Sequence, residues 1–108
     1  MTVSSLIEKG FNAVTLPQGD RMVNGVYIGD LLSWVMSSCS ADNIWITIMS
    51  NINVIAVASL TDASCVILAE GVTLQDDVIK EAEKKGVNVL STDKSSYEVA
   101  VLLSDILK

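Results

Sequence analysis

The longest stretch without a charged residue runs from Asn43 to Thr61. Residues 44–49 alternate between two sides, as a strand does, and residues 54–60 are apolar with no polar face at helical period. Three polar residues, Ser50, Asn51 and Asn53, lie between these two parts. The pattern predicts an inner strand, a polar turn and a helix that is buried on more than one side.

Similar apolar patterns predict four more strands and four more helices. The strands cover residues 11–16, 22–28, 65–69 and 87–90, and the helices cover 3–9, 31–36, 74–85 and 96–107. Capping boxes are expected at Ser5-x-x-Glu8 and Ser95-x-x-Glu98, and Gly86 should end the fourth helix. Asp30 and Thr73 are the expected N-caps of the second and fourth helices, and Asn51 or Asn53 should cap the third.

From residue 22 onward, strands and helices alternate with short connections. Right-handed crossovers fold such a chain into parallel strands with helices on both faces of the sheet. We therefore predict one three-layer α/β/α domain over residues 1–108, with about five mostly parallel strands. The order of the strands does not follow from this pattern.

A helix that packs on a sheet needs only one apolar stripe along its length. Three predicted helices have a wider apolar surface than that: 31–36, 54–60 and 96–107. Surplus apolar surface predicts a partner, and we expect a self-associating protein, most simply a homodimer. The alternative is that a helix such as 54–60 is enclosed within a single subunit.

Charge and composition exclude several classes of function. The net charge is −6 and the seven basic residues are scattered, so no surface is expected to neutralise a nucleic-acid backbone. Polar residues interrupt the uncharged stretch, which argues against a membrane span, and the N-terminus lacks the pattern of a signal peptide. We expect a cytoplasmic protein that binds neither nucleic acid nor membrane.

Enzymatic motifs are absent from the sequence. It has no histidine, no phosphate-binding G-x-x-x-x-G-K-[ST], no dinucleotide-binding G-x-G-x-x-G and no G-x-S-x-G. The two cysteines, Cys39 and Cys65, are expected to be reduced thiols, with Cys65 in the core. We predict no catalytic residue, no cofactor and no metal site, and therefore a protein that is not an enzyme.

Polar residues follow four of the predicted strands, at the edge where a parallel α/β sheet usually binds its ligands. This edge makes the protein a candidate small-molecule sensor, with a nucleotide as one possible ligand. The alternative is that these residues only cap the helices that follow. The candidate ligand-binding residues are Gly29, Asp30, Ser50, Asn51, Asn53, Glu70, Gly71, Ser91 and Thr92.

Five segments carry a family resemblance by their order and spacing: residues 26–36, 45–48, 53–60, 65–71 and 87–92. Through these segments the sequence resembles the DRTGG domain family over almost its whole length, from about Leu16 to Leu103. The resemblance implies an α/β/α domain similar to the N-terminal domain of HPr kinase/phosphorylase, acting as a non-catalytic regulatory module that contributes dimer contacts. Short stand-alone relatives imply a hydrogenase-type redox enzyme as a partner.

The chain departs from the family signature at two places. Ser50-Asn51 stands where the family's Asp-Arg pair would fall, and Ala69-Glu70-Gly71 stands where its Thr-Gly-Gly would fall. Losing an arginine and gaining a glutamate weakens an anion-binding role, whereas Asn51, Asn53 and Glu70 suit a neutral or cationic group.

Overall fold

The structure is a computed structural model that describes residues 1–107. Five strands and five helices make up this part of the chain. The strands are β1 (Asn12–Thr15), β2 (Val26–Ile28), β3 (Ile44–Thr47), β4 (Cys65–Leu68) and β5 (Val89–Ser91). The helices are α1 (Val3–Ile7), α2 (Leu32–Ser38), α3 (Ile52–Thr61), α4 (Asp76–Lys85) and α5 (Ser96–Ile106).

The strands form one sheet in the order β1-β5-β4-β3-β2. Strands β2 to β5 are parallel, and β1 pairs antiparallel with β5. Helices α2, α3 and α4 each connect two neighbouring parallel strands, so right-handed crossovers place all three on one face. Helix α5 follows the last parallel strand and joins α1 on the other face. The predicted mostly parallel, five-stranded α/β fold is confirmed.

Alternation along the inner strands divides the core into two halves. Trp45 and Val66 point toward α2, α3 and α4, whereas Ile44, Ile46 and Ile67 point toward α1 and α5. Both faces of β3 and β4 are fully buried, which is why their sequences are continuous apolar runs.

Three of the predicted helix ends are confirmed. The Asn51 side chain accepts a hydrogen bond from Asn53 N and caps α3. Ser95 and Glu98 form the predicted capping box of α5. Gly86 ends α4 in the left-handed conformation, at φ 72°.

Three other predicted caps are wrong. Thr2, not Ser5, caps α1, because the helix already begins at Val3 and the Thr2 side chain accepts a hydrogen bond from Ser5 N. Leu31 is the N-cap of α2 without a side-chain bond, because the Asp30 carboxylate is engaged elsewhere. Gln75, not Thr73, occupies the N-cap of α4, so the helix begins at Asp76.

The second strand is shorter than the predicted 22–28, since only Val26–Ile28 pairs with β3. Met22 instead forms a single bridge to Thr2, and Gly25 turns the chain at φ 84° before the strand begins. The apolar helix α2 is not enclosed by the rest of the domain. Leu31, Trp34 and Met36 are exposed at its surface, and Val35 is the buried residue of the helix.

None of the helices in residues 1–107 combines the length and the apolar character that crossing a membrane requires.

Candidate functional site

The carboxyl ends of β2, β3, β4 and β5 bring the predicted polar residues to one edge of the sheet. The residues do not form a single cluster at this edge. Their side chains and backbones fall into three groups, at the end of β2, at the start of α3 and at the β4–β5 junction.

The Asp30 carboxylate closes the end of β2 onto β3. Its Oδ1 accepts hydrogen bonds from Thr47 Oγ1 at 2.8 Å and from Ile48 N at 3.0 Å. Thr47 is buried, and its Oγ1 also accepts a bond from Met49 N at 3.1 Å. Asp30 therefore fixes the turn after β3. The sequence did not indicate Thr47 as its partner, because Thr47 lies within a strand that is otherwise apolar.

Gly29 has a packing role in the same region. A Cβ atom at this position would lie 2.9 Å from Tyr27 Cε2, so a larger residue would displace the ring. The Gly29 carbonyl also accepts a hydrogen bond from Trp45 Nε1 at 2.9 Å. This glycine joins the edge strand to the core.

Backbone bonds connect the ends of β4 and β5. Glu70 N donates to Lys94 O at 2.8 Å, and Gly71 N donates to Thr92 O at 2.9 Å. Glu70 and Gly71 are both left-handed, with φ of 61° and 72°. The Thr92 side chain is buried and accepts a bond from Lys94 N.

The group around α3 lines an open cavity of about 460 Å³ between the beginnings of α3 and α4. Ser50 and Asn51 are the two predicted residues that line it. The other lining residues are Ile52, Thr73, Gln75, Asp77 and Val78. Thr73, Gln75 and Asp77 were missed as site residues, because they precede or open α4 and follow no strand directly.

The candidate residues are thus placed as follows. Gly29 and Asp30 lie at β2, Asn53 lies in the first turn of α3, and Glu70, Gly71, Ser91 and Thr92 belong to the β4–β5 junction. None of these seven lines the α3–α4 cavity.

The electrostatic character of this edge is acidic. Glu70, Asp76, Asp77 and Asp93 lie in the segments that follow β4 and β5, with Lys94 as a nearby cation. Arg21 is engaged elsewhere, because its guanidinium binds Asp42 and Asp62 at 2.9 and 2.8 Å, and these residues precede β3 and β4. The edge therefore favours neutral or cationic groups over phosphates.

The two cysteine thiols are buried, and their surroundings do not activate them as nucleophiles. Both cysteines are buried free thiols; burial raises the pKa of Cys65 to about 12 and also raises the pKa of Cys39. Both thiols are therefore protonated at neutral pH and are poor nucleophiles. Among residues 1–107, no three potential metal ligands come together, and every buried side-chain nitrogen or oxygen has a hydrogen-bond partner.

A second surface stands out by its apolar character. Five of the twelve exposed large apolar side chains in residues 1–107 fall within β2 and α2 or between them. We call this margin of the sheet the β2–α2 edge and define it by Val26 and Ile28, on the α5 side of β2, and by Leu31, Trp34 and Met36 at α2 on the other side. Trp34 is the most exposed of the five, with 68% of its surface accessible.

Fold and site together define a three-layer α/β domain with a polar strand edge and an apolar lateral edge. The DRTGG domain family model matches residues 11–106. The chain therefore belongs to the DRTGG domain family, as its sequence resemblance predicted. No curated protein matches the sequence.

The fold is similar to a solved structure, that of the CBS and DRTGG domains of the regulatory region of Clostridium perfringens pyrophosphatase, complexed with the activator diadenosine tetraphosphate. The TM-score is 0.72 at 17% sequence identity, over 93% of this chain. The match spans 44% of that longer chain. At this identity the likeness establishes the fold, and in the pyrophosphatase the DRTGG domain is part of a regulatory region.

Proposed function

We propose that this DRTGG domain is a non-catalytic regulatory module of the cytoplasm that self-associates through its β2–α2 edge. The observation that carries the proposal is the concentration of exposed apolar side chains on this edge. Exposed apolar clusters of this kind are typical of protein interfaces, and Trp, Met and aromatic residues are enriched there.

The distribution of charge supports a second copy as the partner. The protein carries a net charge of −6, so two copies repel each other over most of their surfaces. Residues 22–41 contain a single charged residue, Asp30, and its carboxylate is hydrogen-bonded to Thr47 and Ile48. The β2–α2 edge lies in this segment and is therefore a place where two copies can approach with little repulsion.

Sedimentation equilibrium tests self-association directly. We expect the wild-type protein to form dimers at micromolar concentration, with a dissociation constant that does not rise at high salt, because the contact is apolar and salt screens the repulsion between the two acidic copies. A protein that stays monomeric at about 100 μM, where a 1 mM dissociation constant would already give detectable dimer, contradicts the proposal.

We also propose that the module acts beside a larger enzyme system, as the DRTGG domain does within the regulatory region of the Clostridium pyrophosphatase. The resemblance to stand-alone relatives makes a hydrogenase-type redox enzyme the candidate partner. Co-sedimentation of the purified domain with such an enzyme is the expected result, and independent sedimentation at matched concentrations contradicts this choice of partner.

A second candidate function, small-molecule sensing, is favoured by the cavity between α3 and α4. Its volume of about 460 Å³ is in the range of ligand pockets. Because Asp77 lines the cavity, we expect the nucleoside part of a nucleotide to be bound rather than its phosphates. A thermal-shift comparison of adenosine, ATP and diadenosine tetraphosphate tests this; no shift with any of the three contradicts the sensor role.

A further inference from the structure

The outer side of β2 carries backbone groups that no strand of the sheet pairs with, since β2 is the last strand in the order. Pairing with β3 uses alternate residues: Ile44 N donates to Gly25 O at 2.9 Å, and Gly29 N donates to Ile46 O at 3.2 Å. Tyr27, midway between these glycines, faces β3 in the same way. The N–H and C=O groups of Val26 and Ile28 therefore point away from the sheet.

The side chains of these two residues share one face of the strand. Tyr27 packs into the core beneath α2, α3 and α4, so Val26 and Ile28 point to the opposite face, on the side of α5. They are 37% and 47% exposed, and they line an open groove of about 480 Å³ with Ala100 and Leu103 of α5. Both the backbone and the side chains of β2 are thus available to another strand.

We propose that two copies of this chain pair their β2 strands antiparallel about a twofold axis at Tyr27, joining two five-stranded sheets into one. The proposal rests on the self-association put forward above and specifies its geometry. A closed symmetric dimer requires the same patch on both copies, and a twofold axis normal to the sheet makes the paired edge strands antiparallel.

The spacing of the outward-facing residues suits this register. With Tyr27 opposite Tyr27, Val26 of each copy lies opposite Ile28 of the other. Each of these two pairs exchanges two backbone hydrogen bonds, about four in all, because the N–H and C=O groups of both residues face outward. On the α5 side, the two half-exposed apolar side chains of each pair cover one another.

The properties of β2 favour a second copy over a foreign strand. Strand β2 is only three residues long, but from Val26 to Ile28 it has no charge, no proline and a regular register with β3, so it lacks three of the features that keep natural edge strands apart. Val26 and Ile28 lie on either side of Tyr27, so a twofold contact centred on Tyr27 brings each outward-facing residue of one copy against an outward-facing apolar residue of the other.

A charge exchange tests the register. In V26K and I28E the introduced charge faces an apolar residue of the second copy, and we expect the dimer dissociation constant to rise at least about tenfold in each. In the double variant V26K/I28E each introduced lysine faces an introduced glutamate of the other copy. We expect the double variant to regain at least about tenfold in affinity over either single variant.

Hydrogen exchange followed by NMR tests the backbone pairing independently of these substitutions. The Val26 and Ile28 amides should exchange rapidly at low protein concentration and slowly where the wild-type protein is dimeric. The Tyr27 amide, which faces β3, should be protected under both conditions. The substituted positions are partly exposed, and an unchanged far-UV circular dichroism spectrum will show that the variants fold.

The outcomes separate this geometry from self-association itself. A monomeric wild-type protein overturns both. A dimer that tolerates V26K and I28E, or whose double variant is weaker than both single variants, overturns the β2 register and leaves self-association standing. Protection of the Val26 and Ile28 amides only after another protein is added assigns the edge to a different partner and overturns the proposal.

Discussion

The two edges of the sheet, β1 and β2, are built in opposite ways. Strand β1 runs antiparallel to its neighbour, and its register shifts at a bulge between Ala13 and Thr15. Pro17 follows shortly after it. Strand β2 is parallel to its neighbour, its register with β3 is regular, and its outward side chains are apolar.

Polar side chains fix the β1 edge to the rest of the domain. Thr15 Oγ1 donates to Val87 O at 2.8 Å and accepts from Val89 N at 3.1 Å. Asn88, almost fully buried, accepts from Gln18 N and donates to Gln18 O and Ser64 O. These bonds hold the chain on both sides of Pro17.

The difference shows how one domain can block strand addition at one edge of its sheet and leave the other edge open to it. A bulge and a proline beside β1 oppose the addition of another strand. The β2 edge has neither feature and is surrounded by exposed apolar residues. We therefore expect substitutions at the β1 edge to act on folding, and substitutions at the β2 edge to act on association.

The largest effect is expected from Asn88→Ala at the β1 edge. The substitution removes three hydrogen bonds, two to the backbone of Gln18 and one to the buried carbonyl of Ser64. We expect the free energy of unfolding to fall by about 3 kcal/mol, measured by urea denaturation. Asn12→Ala, at an exposed position of β1, is the matched control and should change stability by less than about 0.5 kcal/mol. Equal effects would contradict the anchoring role of Asn88.

A smaller effect, on association, is expected from Trp34→Ala at the β2–α2 edge. Continuing the sheet through β2 brings the α2 helices of two copies close together, and exposed tryptophans are frequent energetic centres of interfaces. We expect a rise of about tenfold in the dimer dissociation constant, equivalent to about 1.4 kcal/mol, in sedimentation experiments. Tyr97→Ala removes an aromatic side chain of α5 that is 77% exposed and should leave the constant unchanged. A larger rise of the dissociation constant for Tyr97→Ala than for Trp34→Ala would indicate that the interface lies on α5.

The smallest effect concerns pH. Hydrogen bonds from Ser95 lower the pKa of Glu98 in the folded state, so its contribution to stability is present above the unfolded value of about 4.3. That contribution is lost as the pH falls through the lower, folded value. The wild-type protein should therefore melt slightly above Glu98→Gln at pH 6, and the difference should disappear near pH 3.

The β1 edge provides the contrast, because Thr15, Gln18 and Asn88 do not titrate. The loss of stability caused by Asn88→Ala should accordingly be the same at pH 6 and at pH 4. Thermal denaturation at pH 6, 4 and 3 measures the effects of both substitutions. A stability loss of Asn88→Ala that changes strongly with pH would contradict the conclusion that uncharged side chains hold the β1 edge.

Local sequence was sufficient for much of the fold. Strand β4 was recognised from its continuous apolar run, because a strand buried on both faces has no polar side to interrupt the pattern. The α5 capping box was recognised because its two bonds join residues three apart. The cap predicted at Asp30 is wrong because of a distant partner: its carboxylate accepts hydrogen bonds from Thr47 and Ile48, at the end of the next strand, instead of opening α2.

The candidate site was predictable only in part for the same reason. The sequence indicated which residues would reach the carboxyl edge, since that follows from the order of strands and helices. It did not indicate that Ser50 and Asn51 would share a cavity with Thr73, Gln75 and Asp77, because that depends on how α3 and α4 lie side by side. Whether the cavity binds a ligand stays a prediction.

By itself, then, the sequence determined the alternation of strands and helices, the parallel sheet and the aliphatic core, because these depend on periodicity and on short-range connection rules. Tertiary structure alone decided the strand order, and with it the contrast between the β1 and β2 edges. It also showed that the apolar residues of α2 lie at the surface: burial is a property of the assembled layers, and an apolar helix beside an edge strand has too few neighbours to cover it.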